Sequence, residues 1–264
     1  MSTRMGVEMR GHKAALVGGF VGWMSCGTAL AQSAPTVDWS GFYVGGLVGA
    51  TNSQTQAKTT VGYQKYLNAT DAGQMARAGD SDLAQWQPSV GLVGGYGKQF
   101  GHVLLGLEAS ANSIYLNDER TVSENYVSTP ASRFILRQSV RADWMATLRP
   151  RLGWAEDNWL GYVTGGLSVT QLKLDTLFVD NAFSGYSKSS DTKIRTGWSL
   201  GLGTEYALSG GWALRGEYLY TNFGALKSMS ETTSTNDSGG SLAHKAELDT
   251  HAVMVGLTYR FKGF

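Results

Sequence analysis

Asp143-Trp144-Met145-Ala146-Thr147-Leu148-Arg149-Pro150-Arg151-Leu152-Gly153-Trp154 is the stretch that decides the fold. Its even positions carry Trp, Ala, Leu, Pro, Leu and Trp, and its odd positions Asp, Met, Thr, Arg, Arg and Gly. A repeat of two puts alternate side chains on opposite faces of a strand, one oily and one polar. An ordinary strand has roughly five or six residues, whereas a tilted strand crossing a bilayer needs about 9–11. This run is long enough to cross, so its oily face meets either lipid or a protein core.

The same alternation recurs along the chain. Phe42, Val44, Gly46, Val48 and Ala50 share one face, as do Val90, Leu92, Gly94 and Tyr96. Val103, Leu105, Leu107 and Ala109 oppose Glu108, Ser110 and Asn112, and Val163, Gly165, Leu167 and Val169 oppose Tyr162, Thr164, Ser168 and Thr170. Ile194, Trp198, Leu200, Leu202 and Tyr206 oppose Ser199, Gly201, Gly203 and Glu205. Trp212, Leu214, Tyr218 and Tyr220 oppose Arg215, Glu217 and Thr221. Val253, Val255, Leu257, Tyr259 and Phe261 oppose Thr250, Gly256, Thr258 and Arg260. With the opening stretch these make eight strands.

The connections alternate in length. Phe100-Gly101-His102, 155–159 and 208–211 are short, while 52–87, 113–138, 176–191 and 223–247 are long and polar. Even strand number with short turns at one end and long loops at the other is the pattern of a bacterial outer-membrane barrel. An open sheet edge in hydrocarbon would leave backbone groups unpaired, so the sheet must close. A soluble barrel with its oily face inward is the alternative. Against it stand an export signal, the one-sided loops and aromatics at the short-turn ends: Trp39, Phe42, Tyr96, Phe100, Trp154, Trp159, Tyr206, Trp212, Tyr259 and Phe261. These read as a periplasmic girdle, with Trp144, Trp198 and Tyr220 in an upper one. Pro150 cannot donate to a ladder, so a bulge or a gap in the pairing is expected there.

The expected fold is therefore all-β: a closed eight-stranded antiparallel transmembrane β-barrel with short periplasmic turns and long extracellular loops. Residues 1–31 read as a cleaved signal peptide and 32–264 as the barrel domain. Arg4, Arg10 and Lys13 precede the apolar run 14–23, and Ala29-Leu30-Ala31 is an A-x-A cleavage site. The lone cysteine, Cys26, lies in this leader behind a poor lipobox, so the mature chain would be cysteine-free. No later segment has the roughly 18 uninterrupted apolar residues of a transmembrane helix. Charged residues are only 16% and the net charge is +1, with no basic run, which argues against nucleic acid as a partner.

From Trp39-Ser40-Gly41-Phe42-Tyr43-Val44-Gly45-Gly46 onward the chain resembles the small opacity-like, porin-like outer-membrane barrels of alphaproteobacteria, the immunogenic outer-membrane protein group. Leu105-Gly106-Leu107-Glu108-Ala109, Leu148–Trp154, Tyr162-Val163-Thr164-Gly165-Gly166, Thr196-Gly197-Trp198 and Glu217-Tyr218-Leu219-Tyr220 carry the resemblance in order, together with the last strand. It implies a Gram-negative surface antigen of the cell outer membrane that supports envelope integrity and offers its loops to host or environment. Its partners would be outer-membrane lipid, the barrel assembly machinery and periplasmic chaperones, and an extracellular loop partner. Gly256, Tyr259, Phe261 and Phe264 resemble the C-terminal signal read by that machinery, although Met254 stands where a polar residue is usual.

The interior of an eight-stranded barrel is just wide enough for side chains. Its expected charged list is Glu108, Arg149, Arg151, Glu205, Arg215, Glu217 and Arg260, with Glu205 and Arg215 as cross-strand neighbours. Unpaired buried charges are too costly to keep, so these should form an ion-pair network that plugs the lumen. A narrow porin-like channel for small solutes is the alternative. A catalytic rim site would need His102, His244 or His251, the last two near Glu247 and Asp249. The resemblance also raises haem or host-surface binding through loops, for which His244, His251, Tyr63, Tyr66, Tyr115, Tyr126 and Tyr186 are the candidate residues. The expectation is no enzyme, no cofactor and no metal.

Overall fold

A computed structural model describes residues 37–61, 69–181, 186–232 and 240–261. The expected leader over 1–31 with Cys26, the loop residues Tyr63 and Tyr66, and Phe264 lie outside the described residues. The elements run β1 (Gly41–Val61), α1 (Ala69–Gly79), β2 (Ser81–Phe100), β3 (Val103–Asn125), β4 (Arg133–Glu156), β5 (Trp159–Asp180), β6 (Tyr186–Ala207), β7 (Trp212–Thr232) and β8 (Gly240–Arg260). Each strand pairs antiparallel with the next, and β8 returns to β1 to close the ring. The short turns are Gly101-His102, Asp157-Asn158 and a 3-10 turn at Ser209–Gly211.

The strands run 20 to 24 residues, well beyond what a bilayer requires. The surplus lies at the far end from the short turns, so the long polar connections are mostly strand. β3 and β4 stay paired out to Asn125↔Arg133, and β7 and β8 out to Thr232↔Gly240. The connection 52–87 holds both the continuation of β1 and the helix α1. Above the membrane band the ladder is not continuous. Among the described residues, the pairing of β2 with β3 begins at Gly91↔Asn112, and that of β6 with β7 at Trp198↔Asn222. Beyond those levels the described strands form two leaves, β7–β8–β1–β2 and β3–β4–β5–β6.

The alternation carries through as wall chemistry. Leu92, Leu167 and Ile194 face outward with about 70% of their surface open, while Glu108, Arg149 and Thr170 are fully enclosed. Lower-girdle aromatics meet in cross-strand pairs on the outer wall: Phe42 with Tyr96 at 4.8 Å, Trp159 with Tyr206 at 4.7 Å and Trp212 with Tyr259 at 5.2 Å. Trp39 departs from the expected girdle. It is 1% exposed and packs with Leu104, Ala155, Leu160 and Ala213 as the floor of the interior.

Asp143 also departs, because three register shifts break the period near the upper edge of the apolar band. They fall between Ser113 and Leu116, between Arg141 and Met145, and between Asn222 and Ala225. A bulge inserts one residue and re-aims the side chains beyond it. Asp143 and Trp144 are therefore both exposed, whereas Met145 is buried. At Pro150 the outcome is a gap without a bulge. Pairing of β4 with β5 runs to Leu148↔Leu167, skips two positions and resumes in the same register at Arg151↔Thr164. The Thr164 hydroxyl donates to the Pro150 carbonyl at 2.8 Å. Opposite this gap a Cβ on Gly166 would sit 2.3 Å from the Leu148 carbonyl oxygen, so only glycine fits against the β4 backbone.

An outward charge in the middle of the band should be far costlier than one at a turn. Leu148→Arg is expected to destabilise the barrel by about 2–4 kcal/mol, and Leu208→Arg in the periplasmic turn by about 0–1 kcal/mol. Urea unfolding in lipid vesicles followed by tryptophan fluorescence measures both.

Candidate functional site

The lower half of the interior is a polar cluster built by alternate residues of seven strands. Arg149 and Arg151 project from β4 on either side of outward Pro150. Glu108 stands opposite Arg149 across the β3–β4 ladder, and Glu205 opposite Arg215 across the β6–β7 ladder. All seven expected residues are buried: Glu108, Arg149, Arg151, Glu205, Arg215, Glu217 and Arg260.

Glu108 is the hub. Arg215 grips it with both terminal nitrogens, Nη1 to Oε2 at 2.6 Å and Nη2 to Oε1 at 2.8 Å. Arg149 Nη2 adds a bond to Oε1 at 2.7 Å, and the Tyr43 hydroxyl donates to Oε2 at 2.6 Å. A carboxylate has about four lone-pair sites, so this one is saturated. The bidentate fork explains arginine rather than lysine at 215.

Glu217 accepts from Arg149 Nη2 at 3.1 Å, from the Tyr162 hydroxyl at 2.8 Å and from Arg215 Nη2. Glu205 accepts from Arg151 Nη2 at 2.7 Å and from Arg215 Nη1 at 3.4 Å. Arg260 Nη2 lies 3.6 Å from its other oxygen. Arg260 also donates to the Trp39 carbonyl, which ties the network to the apolar floor.

Tyr43 and Tyr162 are members that the charge pattern of the sequence did not include. The Arg151 guanidinium lies 3.6 Å from the Tyr162 ring centroid and 5.6 Å from that of Tyr43. Aromatic faces favour cations there, and more so when water is excluded. The signal was present: Tyr43 sits opposite Phe42 and Val44, and Tyr162 opposite Val163. Two glycines make room for them. A Cβ on Gly95 would lie 2.6 Å from the Tyr43 hydroxyl, and one on Gly203 2.3 Å from the Tyr162 hydroxyl.

The interior above the cluster is apolar, with Leu47, Val93, Ile114, Met145, Leu172 and Leu219 among its members. Higher still, Tyr126, Phe134, Leu136 and Phe178 pack against Ala72 and Ala78 of α1. Asp71 of this helix accepts from the Ser128 hydroxyl, and Gln74 bonds Glu124 and the Asn125 carbonyl at the end of β3.

The rim candidates do not converge. His102 lies in a periplasmic turn, with Nδ1 2.8 Å from the Ala155 carbonyl. His251 faces the outer wall against the Tyr218 hydroxyl, while His244 sits further up β8 in register with Ser228. Of the loop tyrosines, Tyr126 is buried in the cap, and Tyr115 and Tyr186 are exposed on β3 and β6. On the last strand, Tyr259 and Phe261 pack edge to face at 5.1 Å on the outer wall. Gly256 faces inward, where a Cβ would meet the Gly46 carbonyl oxygen at 2.0 Å.

Against known proteins, residues 21–261 match the family described as outer membrane protein beta-barrel domain. The chain belongs to this family. As an outer-membrane barrel it is 34% identical over 136 residues to the 31 kDa outer-membrane immunogenic protein of Brucella melitensis, a match covering 51% of this chain and 52% of that protein. The chain thus spans about half the length of the first curated relatives it matches. It is 24% identical over 231 residues to the 25 kDa outer-membrane immunogenic protein of Brucella abortus, covering 87% of this chain and 83% of the relative. Among solved structures, the outer membrane protein OprG from Pseudomonas aeruginosa shares 12% identity at a TM-score of 0.48, covering 85% of this barrel and 97% of OprG. The outer-membrane barrel is thereby placed in the outer membrane of a Gram-negative cell, within the alphaproteobacterial group its sequence resembles.

Removing one partner of a buried ion pair strands the other. Glu108→Leu is expected to destabilise the barrel by about 3–5 kcal/mol. Adding Arg149→Leu should recover part of the loss, with a coupling of about 0.5–3 kcal/mol. A double-mutant cycle of urea unfolding in vesicles measures it, and strict additivity would show that Glu108 and Arg149 do not stabilise each other.

Proposed function

We propose that this barrel is a closed structural element of the outer membrane. It supports envelope integrity and presents its extracellular hairpins to host or environment, with no solute path through its lumen. The observation that carries the reading is the filled interior. A charge network pairs its arginines with its glutamates, apolar layers lie below and above it, and a helix packs on the inward side chains of the extracellular end. Guanidinium and carboxylate groups locked to one another do not hydrate a passing ion.

The relatives' names describe immunogenic outer-membrane proteins, which fits a surface that is displayed. The reading assigns no catalytic residue and no cofactor. Gly256, Tyr259 and Phe261, with Phe264, serve in it as the signal for the assembly machinery, which periplasmic chaperones would supply with the unfolded chain.

Planar-bilayer recording tests the reading. Purified protein is expected to give no steady single-channel steps. Steady steps that change with Arg149→Ala or Arg151→Ala would establish a narrow porin-like channel instead.

A further inference from the structure

The outer wall of the barrel is dented. Pro150 on β4 and Gly165 on β5 both face outward, at the level where the ladder between their strands is interrupted. Gly165 offers no side chain, and Leu200 leans toward it: a Cβ on Gly165 would lie 2.8 Å from Leu200 Cδ2. Around this pair Leu105, Leu152, Leu200 and Tyr220 border a groove of about 700 Å³. That is the size of an ordinary small-molecule site, which spans roughly 300–1,000 Å³. The groove lies wholly within the lipid-facing band. Its surroundings are hydrocarbon, so the occupant that the wall selects is an acyl chain.

The chemistry changes at the β7 end of the groove. Tyr218 and Tyr220 wall it there. The Tyr218 hydroxyl lies 2.7 Å from His251 Nδ1. The Tyr220 hydroxyl donates to Asp249 Oδ1 at 3.2 Å, and Asn222 Nδ2 donates to the same oxygen at 2.5 Å. The Tyr220 ring is 5.0 Å from that of His251 and 5.3 Å from that of Trp198. These side chains occupy one outward patch at the upper girdle, just below the register shift that starts at Asn222.

A carboxylate, an amide, an imidazole and phenol hydroxyls within one patch offer both donors and acceptors. The flat rings of Trp198 and Tyr220 are apolar faces with polar edges. That combination suits a ring of hydroxyls with apolar C–H faces, which is a sugar. The Asp249 charge opposes an anionic phosphate at the same place. We propose that the groove and this patch together form a site for an outer-leaflet glycolipid. One acyl chain lies along Pro150 and the Leu200 side chain that covers Gly165, and the sugar headgroup is held by Tyr220, Asn222, Asp249 and His251 beside Trp198.

The test is native mass spectrometry of the full-length barrel released from micelles. The probes are a monoglucosyl diacylglycerol and a phosphatidylglycerol with the same acyl chains. The glycolipid is expected to bind about tenfold more tightly, and Gly165→Phe and Asp249→Ala each to weaken it by about tenfold. Gly46→Phe is the control: it faces outward on β1 into open space, away from the groove, and should leave binding unchanged. Equal affinity for the two lipids overturns the headgroup assignment, and wild-type binding by Gly165→Phe overturns the groove. A dimer that covers this wall makes a second copy the occupant and overturns both. If Gly165→Phe does not insert, full binding by both Tyr220→Phe and Asp249→Ala is the overturning result.

Discussion

An ionised carboxylate taken out of water persists only where donors replace the water it lost. Glu108 meets that condition through Arg215, Arg149 and Tyr43, and the arrangement of the barrel depends on how they reach it. Arg215 arrives from β7 across the lumen, Arg149 from the adjacent β4 and Tyr43 from β1. Glu217 then brings in Tyr162 from β5, and Glu205 connects β6 to Arg151 and to Arg260 of β8. Every strand but β2 supplies a polar group. β2 supplies space, because Gly95 leaves room for the Tyr43 hydroxyl. Backbone ladders join neighbours only, whereas this network joins strands that face one another.

Most of the architecture was legible because a period of two is a direct readout of which side each residue faces. The seven charged interior residues came from that rule, as did the Glu205–Arg215 pairing from the position of the turn. Each feature that escaped has a physical cause. Trp39 precedes the first strand, where no parity exists to orient it, and its aromatic character suggested the girdle. Asp143 lies at a bulge, and one inserted residue reverses the reading above it. Tyr43 and Tyr162 lay on the inward face, but their hydroxyls entered the network through distances that strand spacing does not encode. The strand extensions were hidden because their polar composition matches that of loops. The dent at Pro150 and Gly165 needs the two strands in register to be seen at all.

The register shifts on β3–β4, β4–β5 and β7–β8 fall near the upper edge of the apolar band. Below them the side-chain order is strict, since each residue has lipid on one side or a packed interior on the other. Above them the outward face meets water in place of lipid, so the constraint on that face relaxes. Among the described residues, Tyr126, Phe134, Leu136 and Phe178 form an apolar cap where they meet α1.

The two leaves above the membrane have a consequence for how this surface can change. Across the β6–β7 boundary the described ladder ends at Trp198↔Asn222, and across the β2–β3 boundary at Gly91↔Asn112. A longer or altered hairpin on one leaf has no ladder through which to disturb the register of the other. Apart from α1, which packs on the other leaf, the exposed half can therefore change register one leaf at a time while the girdled ring below keeps its own, a freedom that suits a molecule whose outer surface is what its surroundings encounter.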